Sequence, residues 1–328
     1  MDVRAGTALS TPRAIVTGAG GQDGSYLAEL LLDRGYDVVG LVRDAARDYP
    51  NLATVRDRVQ LVQADMLDRE ALTAVLREHA PREVYNLASP SFVPRSWEYP
   101  VETAEFAAVG VTSLLEAIRA VDPTIRVYQA SSSEIFGEPA ETPQTESTPL
   151  GPVTPYGVAK AYGHFIIGSY RRRYGLHASG GILYNHESPR RPLDFLPSKV
   201  AHGVAAIGAG RDAELVLGDL DAQRDWGYAR DYVEAMWRIV QQDESRDYVI
   251  ATGELHSVRE LVEAAFGHVG LDWREHVRVD ESLKRGQAEL HRLVGDASVA
   301  REQLDWSPSV SFEELVALLV DAAREELA

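Results

Sequence analysis

Apolar residues in the first half of the chain fall into short continuous runs, and between those runs they return at every third or fourth position. "RAIVTG" (13–18), "DVVGLV" (37–42), "RVQLVQAD" (58–65), "EVYNLA" (83–88) and "IRVYQAS" (125–131) have the first pattern and predict five buried strands. "GQDGSYLAELLLDRG" has the second, with Leu27, Leu30 and Leu31 on one face and Gly35 placed to end the helix in the left-handed region. "DREALTAVLREH" (68–79) and "GVTSLLEAIRAV" (110–121) predict further helices between strands. Apolar strands alternating with amphipathic helices imply a parallel sheet covered on both faces, and right-handed crossovers make it doubly wound.

The rhythm breaks at 139–155, "PAETPQTESTPLGPVTP". Prolines cannot donate to a ladder, so this is a long loop, and loops of that length tend to be functional. Thr154 and Pro155 then read as the N-cap and first residue of a helix through "YGVAKAYGHFIIGSYRRRYG". Order is less regular beyond residue 185. "ARDYVEAMWRIV" predicts a helix with Val233, Met236, Trp237 and Val240 inward, and "SFEELVALLVDAAREEL" a final helix opened by a capping box of Ser311 and Glu314. Residues 1–13 predict a flexible tail.

With 328 residues the chain can bury a large core in one big domain or two unequal ones. Hydrophobic residues at 45% and charged residues at 25% are ordinary globular usage. The balance of 33 Lys+Arg against 50 Asp+Glu, net −17, argues against a nucleic-acid partner and requires any anion site to be built locally. There is no cysteine, which removes disulfides, thiolate metal sites and thiol catalysis. No apolar run reaches the roughly 20 residues of a membrane span, so a soluble cytoplasmic protein is expected.

Candidate chemistry begins at "TGAGGQDG", where Gly18, Gly21 and Gly24 stand three apart between the first strand and helix. Side chains there would keep the backbone away from a pyrophosphate resting on the N–H groups of the helix start, so the turn predicts a dinucleotide site. At the end of the second strand Arg43 favours NADP, while Asp44 and Asp48 weaken a phosphate site and leave NAD open. Asp65 either meets the adenine or caps the next helix.

Tyr156 and Lys160 are four apart and share a helical face, so both can reach one ribose-nicotinamide unit. A phenol of pKa about 10 becomes a usable base only when positive charge favours the phenolate, and Lys160 is expected to provide some of it. In "QASSSEIFG", Ser132 and Glu134 fall at the carboxyl end of a central strand, where ligands of such sheets bind. Ser132 suits a substrate hydroxyl. Glu134 either caps the turn or removes a proton from the carbon beside a new ketone.

Together with "SFVPRSW", "PQTESTPLGPVTPYGVAKAYGH", "NHESPRR", "GDLDAQRDWGYARDYVEAMW" and "YVIATGE", these segments resemble the GDP-mannose 4,6-dehydratases of the extended short-chain dehydrogenase/reductases. The resemblance covers nearly the whole chain. It implies an α/β, Rossmann-type doubly wound sheet over 14–185 and a smaller mixed α/β substrate domain over 186–328, with segments returning to the first. It implies a redox-neutral lyase that dehydrates a GDP-sugar with NADP, working as a homodimer or homotetramer; a dehydratase for another nucleotide sugar, or a 4-epimerase or 4-keto reductase of the same fold, is the alternative. Ser132, Glu134, Tyr156 and Lys160 are then catalytic, with Lys160 holding the ribose and lowering the tyrosine pKa. The cofactor set is Gly18, Gly21, Gln22, Asp23, Gly24, Arg43, Asp65, Met66, Leu87, Ala88, Ser91, Tyr156, Lys160 and His186. The substrate set is Ser133, Asn185, Arg191, Lys199, Arg224 and Glu289. No metal is expected, since no histidine pair has zinc spacing. For Arg190 an exposed salt bridge and a binding role stand equally.

Three stretches depart from the family pattern. "RDAARDYPNL" replaces an arginine-rich loop that also contacts neighbouring subunits, "ASPS" carries Pro90 in place of an amide, and "RGQAEL" keeps Glu289 but puts Gly286 at an arginine position.

Overall fold

The computed structural model describes residues 11–283 and 293–328, so most of the expected tail, and Glu289 with its flanks, lie outside the described residues. Strands β1 (Arg13–Thr17), β2 (Asp37–Val42), β3 (Val59–Gln63), β4 (Glu83–Asn86) and β5 (Arg126–Ser132) form where the apolar runs place them. Strand β6 (Ala178–Leu183) and the strand Tyr248–Ile250 complete a seven-stranded sheet ordered Tyr248–Ile250, β6, β5, β4, β1, β2, β3. Every pairing in it is parallel. The direction of winding reverses between β1 and β4, and the diverging connections open a crevice at the carboxyl ends.

Alternation along the strands fills both faces. Ala14 and Val16 pack with Leu27, Leu31, Val233, Met236 and Val240 from the helices Gln22–Asp33 and Ala229–Gln241. Ile15 points the other way, into Leu72, Leu76, Leu114, Leu115, Ile118 and Ile167 from the helices Arg69–His79, Gly110–Val121 and Pro155–Tyr174. A separate core joins the helices Leu196–Gly208, Val258–His268 and Phe312–Leu327 through Val200, Val204, Leu261, Phe266, Leu315 and Leu319. After residue 228 the chain returns to the first core, which also holds Tyr248, Ile250, Ala297, Ala300 and Leu304.

Local signals behave as their chemistry requires. Gly35 has φ +79°, and Ser311 and Glu314 form the capping box. The Thr154 hydroxyl accepts the Gly157 N–H at 2.9 Å, and Gly175 ends that helix at φ +69°. Asp68 rather than Asp65 caps Arg69–His79, accepting the Ala71 N–H at 2.9 Å. Residues 139–154 hold no helix or strand and, among the described residues, make one isolated bridge, Gln144 to Gly295.

Beneath the crevice a buried polar ladder ties the ends of β1 and β4 to the middle of β5. Thr17 donates to Asn86 at 2.7 Å and receives the Leu87 and Ala88 N–H groups at 3.0 Å, and Asn86 donates to Gln129 at 2.7 Å.

Candidate active site

A cleft of about 1050 Å³ runs from the carboxyl ends of the central strands to the separate C-terminal core. At the sheet end it is lined by Gly18, Gly21, Gln22, Asp23 and Gly24. Gly18 has φ +67°, and a Cβ on Gly24 would lie 2.7 Å from the Ala19 Cα, so the helix could not start this close to the strand. Helix Gln22–Asp33 has no side-chain cap, leaving its first-turn N–H groups to the cleft. Such a start fits a dinucleotide pyrophosphate. Gly20, outside the three-residue spacing, has another reason: a Cβ there would sit 2.6 Å from the Tyr49 Cε1. Tyr49 closes this end of the cleft and was missed in the sequence, although the extra glycine was its signal.

Arg43, Asp44 and Arg47 also line the cleft. The Arg43 guanidinium lies 5.3 Å from the Phe106 ring centroid, and neither arginine forms an ion pair among the described residues. One Asp44 carboxylate oxygen is engaged at 2.9 Å by the Ala46 N–H. Met66, Leu87, Ala88 and Ser91 line the same wall. Asp65 does not: it is exposed, and its carboxylate accepts the Leu67 N–H at 2.9 Å.

The reactive groups converge. Tyr156 and Lys160 are each 7% exposed and face the cleft with Ser132 and Glu134. Lys160 Nζ donates to the Ala130 carbonyl at 3.1 Å and lies 5.6 Å from the Tyr156 ring centroid. Glu134 is carried by the turn Ser133–Ile135, where its N–H donates to the Ser132 hydroxyl oxygen at 3.3 Å. A Cβ on Gly157 would lie 2.6 Å from the Glu134 carbonyl, so this glycine lets the glutamate's turn rest on the tyrosine's helix. Ser133, next in chain, is 3% exposed and outside the cleft lining, because the turn rotates it inward.

The electrostatics differ from the sequence expectation. Burial pushes the Tyr156 phenol up to about 12, with Glu134 and Asp23 adding and the Ser132 hydrogen bond and Arg191 opposing. Burial also lowers the Lys160 ammonium to about 8, against the attraction of Asp23. Desolvation of both groups outweighs their neighbourhood.

His186 Nε2 lies 2.9 Å from the Asp23 carboxylate, its Nδ1 lies 2.7 Å from the Tyr184 carbonyl, and its ring stacks on Tyr232 at 4.5 Å. Burial would raise the Asp23 carboxyl, but His186, Arg191 and Gln22 outweigh it and lower it to about 2. For His186 burial is likewise outweighed by Asp23, and its pKa is raised.

Toward the C-terminal core the cleft is lined by Asn185, Arg191, Lys199 and Arg224, with Phe195 and Trp226, which the sequence did not single out. Arg191 stacks 3.6 Å over the Phe195 ring and lies 3.4 Å from buried Glu187. Lys199 donates to the Val216 carbonyl at 2.9 Å. Arg190 takes no part in the lining: it pairs with Glu29 at 2.5 Å, donates to the Ser25 hydroxyl at 3.0 Å and lies over the Tyr26 ring.

The sequence profile described as "GDP-mannose 4,6 dehydratase" matches residues 15–319. GDP-mannose 4,6 dehydratase 1 of Arabidopsis thaliana is 44% identical over 325 residues, covering 95% of this chain and 90% of that one. The chain belongs to the GDP-mannose 4,6-dehydratase family. The Homo sapiens GDP-mannose 4,6 dehydratase is 42% identical over 97% of this chain and 93% of its own length. Among solved structures, dTDP-glucose 4,6-dehydratase from Streptomyces venezuelae, with NAD and TYD bound, superposes with a TM-score of 0.84 at 27% identity, covering 95% of this chain and 97% of its own.

Within this dehydratase family member the Asp23 and His186 pair joins the glycine turn to the strand Asn185–Glu187. Asp23→Asn is expected to lower the titration midpoint of His186, read from its imidazole carbon shifts by NMR, because the carboxylate is what favours the imidazolium. An unchanged midpoint would contradict the pairing.

Proposed function

We propose that the protein is an NADP-dependent GDP-mannose 4,6-dehydratase, a hydro-lyase that releases GDP-4-keto-6-deoxymannose and water. The observation that carries this reading is that Ser132, Glu134, Tyr156 and Lys160 line one cleft with the uncapped helix start and the Arg191 and Arg224 guanidiniums. Relatives that bear the dehydratase name over nearly the full chain supply the substrate.

Gly18, Gly21, Gln22, Gly24 and Lys160 would hold the cofactor. When bound, a nicotinamide dinucleotide takes the C4 hydride and later returns it to C6. Tyr156 accepts the C4 hydroxyl proton, with Ser132 bonded to that oxygen. Glu134 then removes the C5 proton; the C5–H electrons form the C5–C6 double bond as the C6–O bond breaks, and the same carboxyl delivers its proton to the departing hydroxyl. Hydride return to C6 would leave an enolate that takes a proton at C5 from Tyr156, which so regains its base form; C4 loses two electrons and C6 gains two, so no outside oxidant is consumed. Arg191 and Arg224 offer planar forks to the diphosphate.

The NADP preference rests on Arg43 and Arg47, cations at the ribose end without acidic partners among the described residues. Arg43→Ala is expected to weaken NADP binding about tenfold while NAD binding changes by less than about twofold, measured by fluorescence titration. Equal losses would contradict a 2′-phosphate contact.

A cytoplasmic location and a homo-oligomer complete the reading. The latter is supported by an exposed apolar row, Val101, Val158, Tyr162 and Phe165, on neighbouring helices. Among the described residues no helix is long and apolar enough to cross a membrane.

Incubation with GDP-mannose tests the activity. The expected product is lighter by one water, with no net change in nicotinamide absorbance, and recovery of an epimer of unchanged mass overturns the assignment.

A further inference from the structure

Asp225 is 1% exposed and takes no part in the reaction described above. Its carboxylate accepts four hydrogen bonds. One oxygen receives the Thr252 N–H at 2.9 Å and the Thr252 hydroxyl at 2.7 Å; the other receives the Gly253 N–H at 3.0 Å and the Gly295 N–H at 3.4 Å. No donor carries a charge, and Asp225 makes no ion pair among the described residues. Burial pushes its carboxyl up, and these four donors push back. A buried carboxylate without a cation is tolerated only when its oxygens are satisfied in this way.

The neighbours of Asp225 show what the anchor holds. Arg224 and Trp226 both line the substrate end of the cleft, whereas Asp225 between them does not, as alternation along an extended chain requires. Arg224 belongs to a ladder of two residue pairs, Gln223–Arg224 against His256–Ser257. So short a ladder is a weak foundation for a guanidinium that must meet a diphosphate in one geometry. Asp225 supplements it by tying this strand to the 252–253 turn and to Gly295 at once. Only a carboxylate presents four acceptor sites and no donor; an amide would aim its NH₂ at two N–H groups.

We infer that Asp225 is a positioning residue for the diphosphate of the nucleotide sugar, acting through Arg224. This rests on the nucleotide-sugar reading above.

The test is calorimetric titration of GDP and of NADP onto the full-length wild-type protein, Asp225→Asn and Thr252→Val, with kcat and KM for GDP-mannose alongside. Asp225→Asn is expected to weaken GDP about tenfold and raise KM by a similar factor, with NADP affinity unchanged within about twofold and kcat within about threefold. Thr252→Val, which removes the hydroxyl that donates to Asp225 and accepts the Glu254 N–H but leaves the three backbone donors, is expected to show a smaller change of the same kind, and Thr252→Ser to restore wild-type values. GDP affinity equal in wild type and both variants overturns the inference. So does a parallel loss of GDP and NADP affinity, the mark of a merely structural role. A wild-type protein that binds NADP but no GDP overturns the nucleotide-sugar reading itself, and the inference with it.

Discussion

Glu134→Gln is expected to stop the reaction half-way. The amide keeps the size of the side chain and its place on the Ser133–Ile135 turn, but it cannot take the C5 proton. Steady-state dehydration should fall about a thousandfold, the middle of the range for removing a general base. The first half should survive, because nothing in C4 oxidation calls on Glu134. It should even be eased, since the Glu134 carboxylate is one of the groups holding the Tyr156 phenol up, and the amide removes that charge. A single turnover would then show nicotinamide absorbance rising to about one equivalent per site and remaining there, with a 4-keto sugar that still carries its C6 oxygen. A variant with wild-type turnover would assign the C5 proton to another group, and one that cannot oxidise C4 would place Glu134 in the first step.

Tyr156→Phe is expected to abolish the first half instead. Without the phenol oxygen the C4 hydroxyl proton loses the acceptor assigned to it, so no absorbance change should follow mixing, and turnover should fall by at least about a thousandfold. GDP-mannose affinity should stay within a few-fold, because the lost atom acts on a reacting proton. The pH dependence carries a sign. With the phenol held up to about 12 in the protein alone, the base form is scarce at neutral pH, and single-turnover C4 oxidation should quicken as pH rises from about 6 to about 8. Above about 8 Lys160 loses its proton, the positive charge beside the site disappears, and the gain should flatten. A rate independent of pH across that span would remove Tyr156 from the base role.

Much of this was written locally. Strands β1 to β5 are short apolar-rich runs whose pairing needs no partner beyond the neighbouring strand and helix, and each was visible, although β3, VQLVQ at the sheet edge, is buried only in part. The glycine turn, the Thr154 cap and the four-residue spacing of Tyr156 and Lys160 are equally local. Strand β6 was not visible, because "ASGGIL" has two glycines at its centre, which a pattern treats as breaks. There they let other side chains approach: a Cβ on Gly181 would lie 2.9 Å from the Tyr128 ring, and one on Gly180 2.8 Å from the Asp247 carboxylate. The strand Tyr248–Ile250 has three residues and joins the sheet only after the chain has built part of the second core.

In the cleft, which side chains meet was legible and their environment was not. Ser132, Glu134, Tyr156 and Lys160 came from motif and position. The raised phenol and lowered ammonium came from burial, which spacing does not encode. The turn Ser133–Ile135 turned Ser133 inward, and an aspartate three residues beyond Asp65 took the helix cap. Arg190 read as an exposed salt bridge or a ligand group; it pairs with Glu29 in a salt bridge that is mostly buried rather than exposed.

The central claim is that one phenol and one carboxylate act in turn on a single hexose that never leaves the cleft. GDP-mannose deuterated at C4, turned over in ordinary water and analysed by NMR, tests it directly. The account predicts that the deuterium reappears at C6 of the 4-keto-6-deoxy product, and that unlabelled GDP-mannose turned over in heavy water gains one solvent deuterium at C5. Deuterium retained at C4, or lost to solvent, would contradict it.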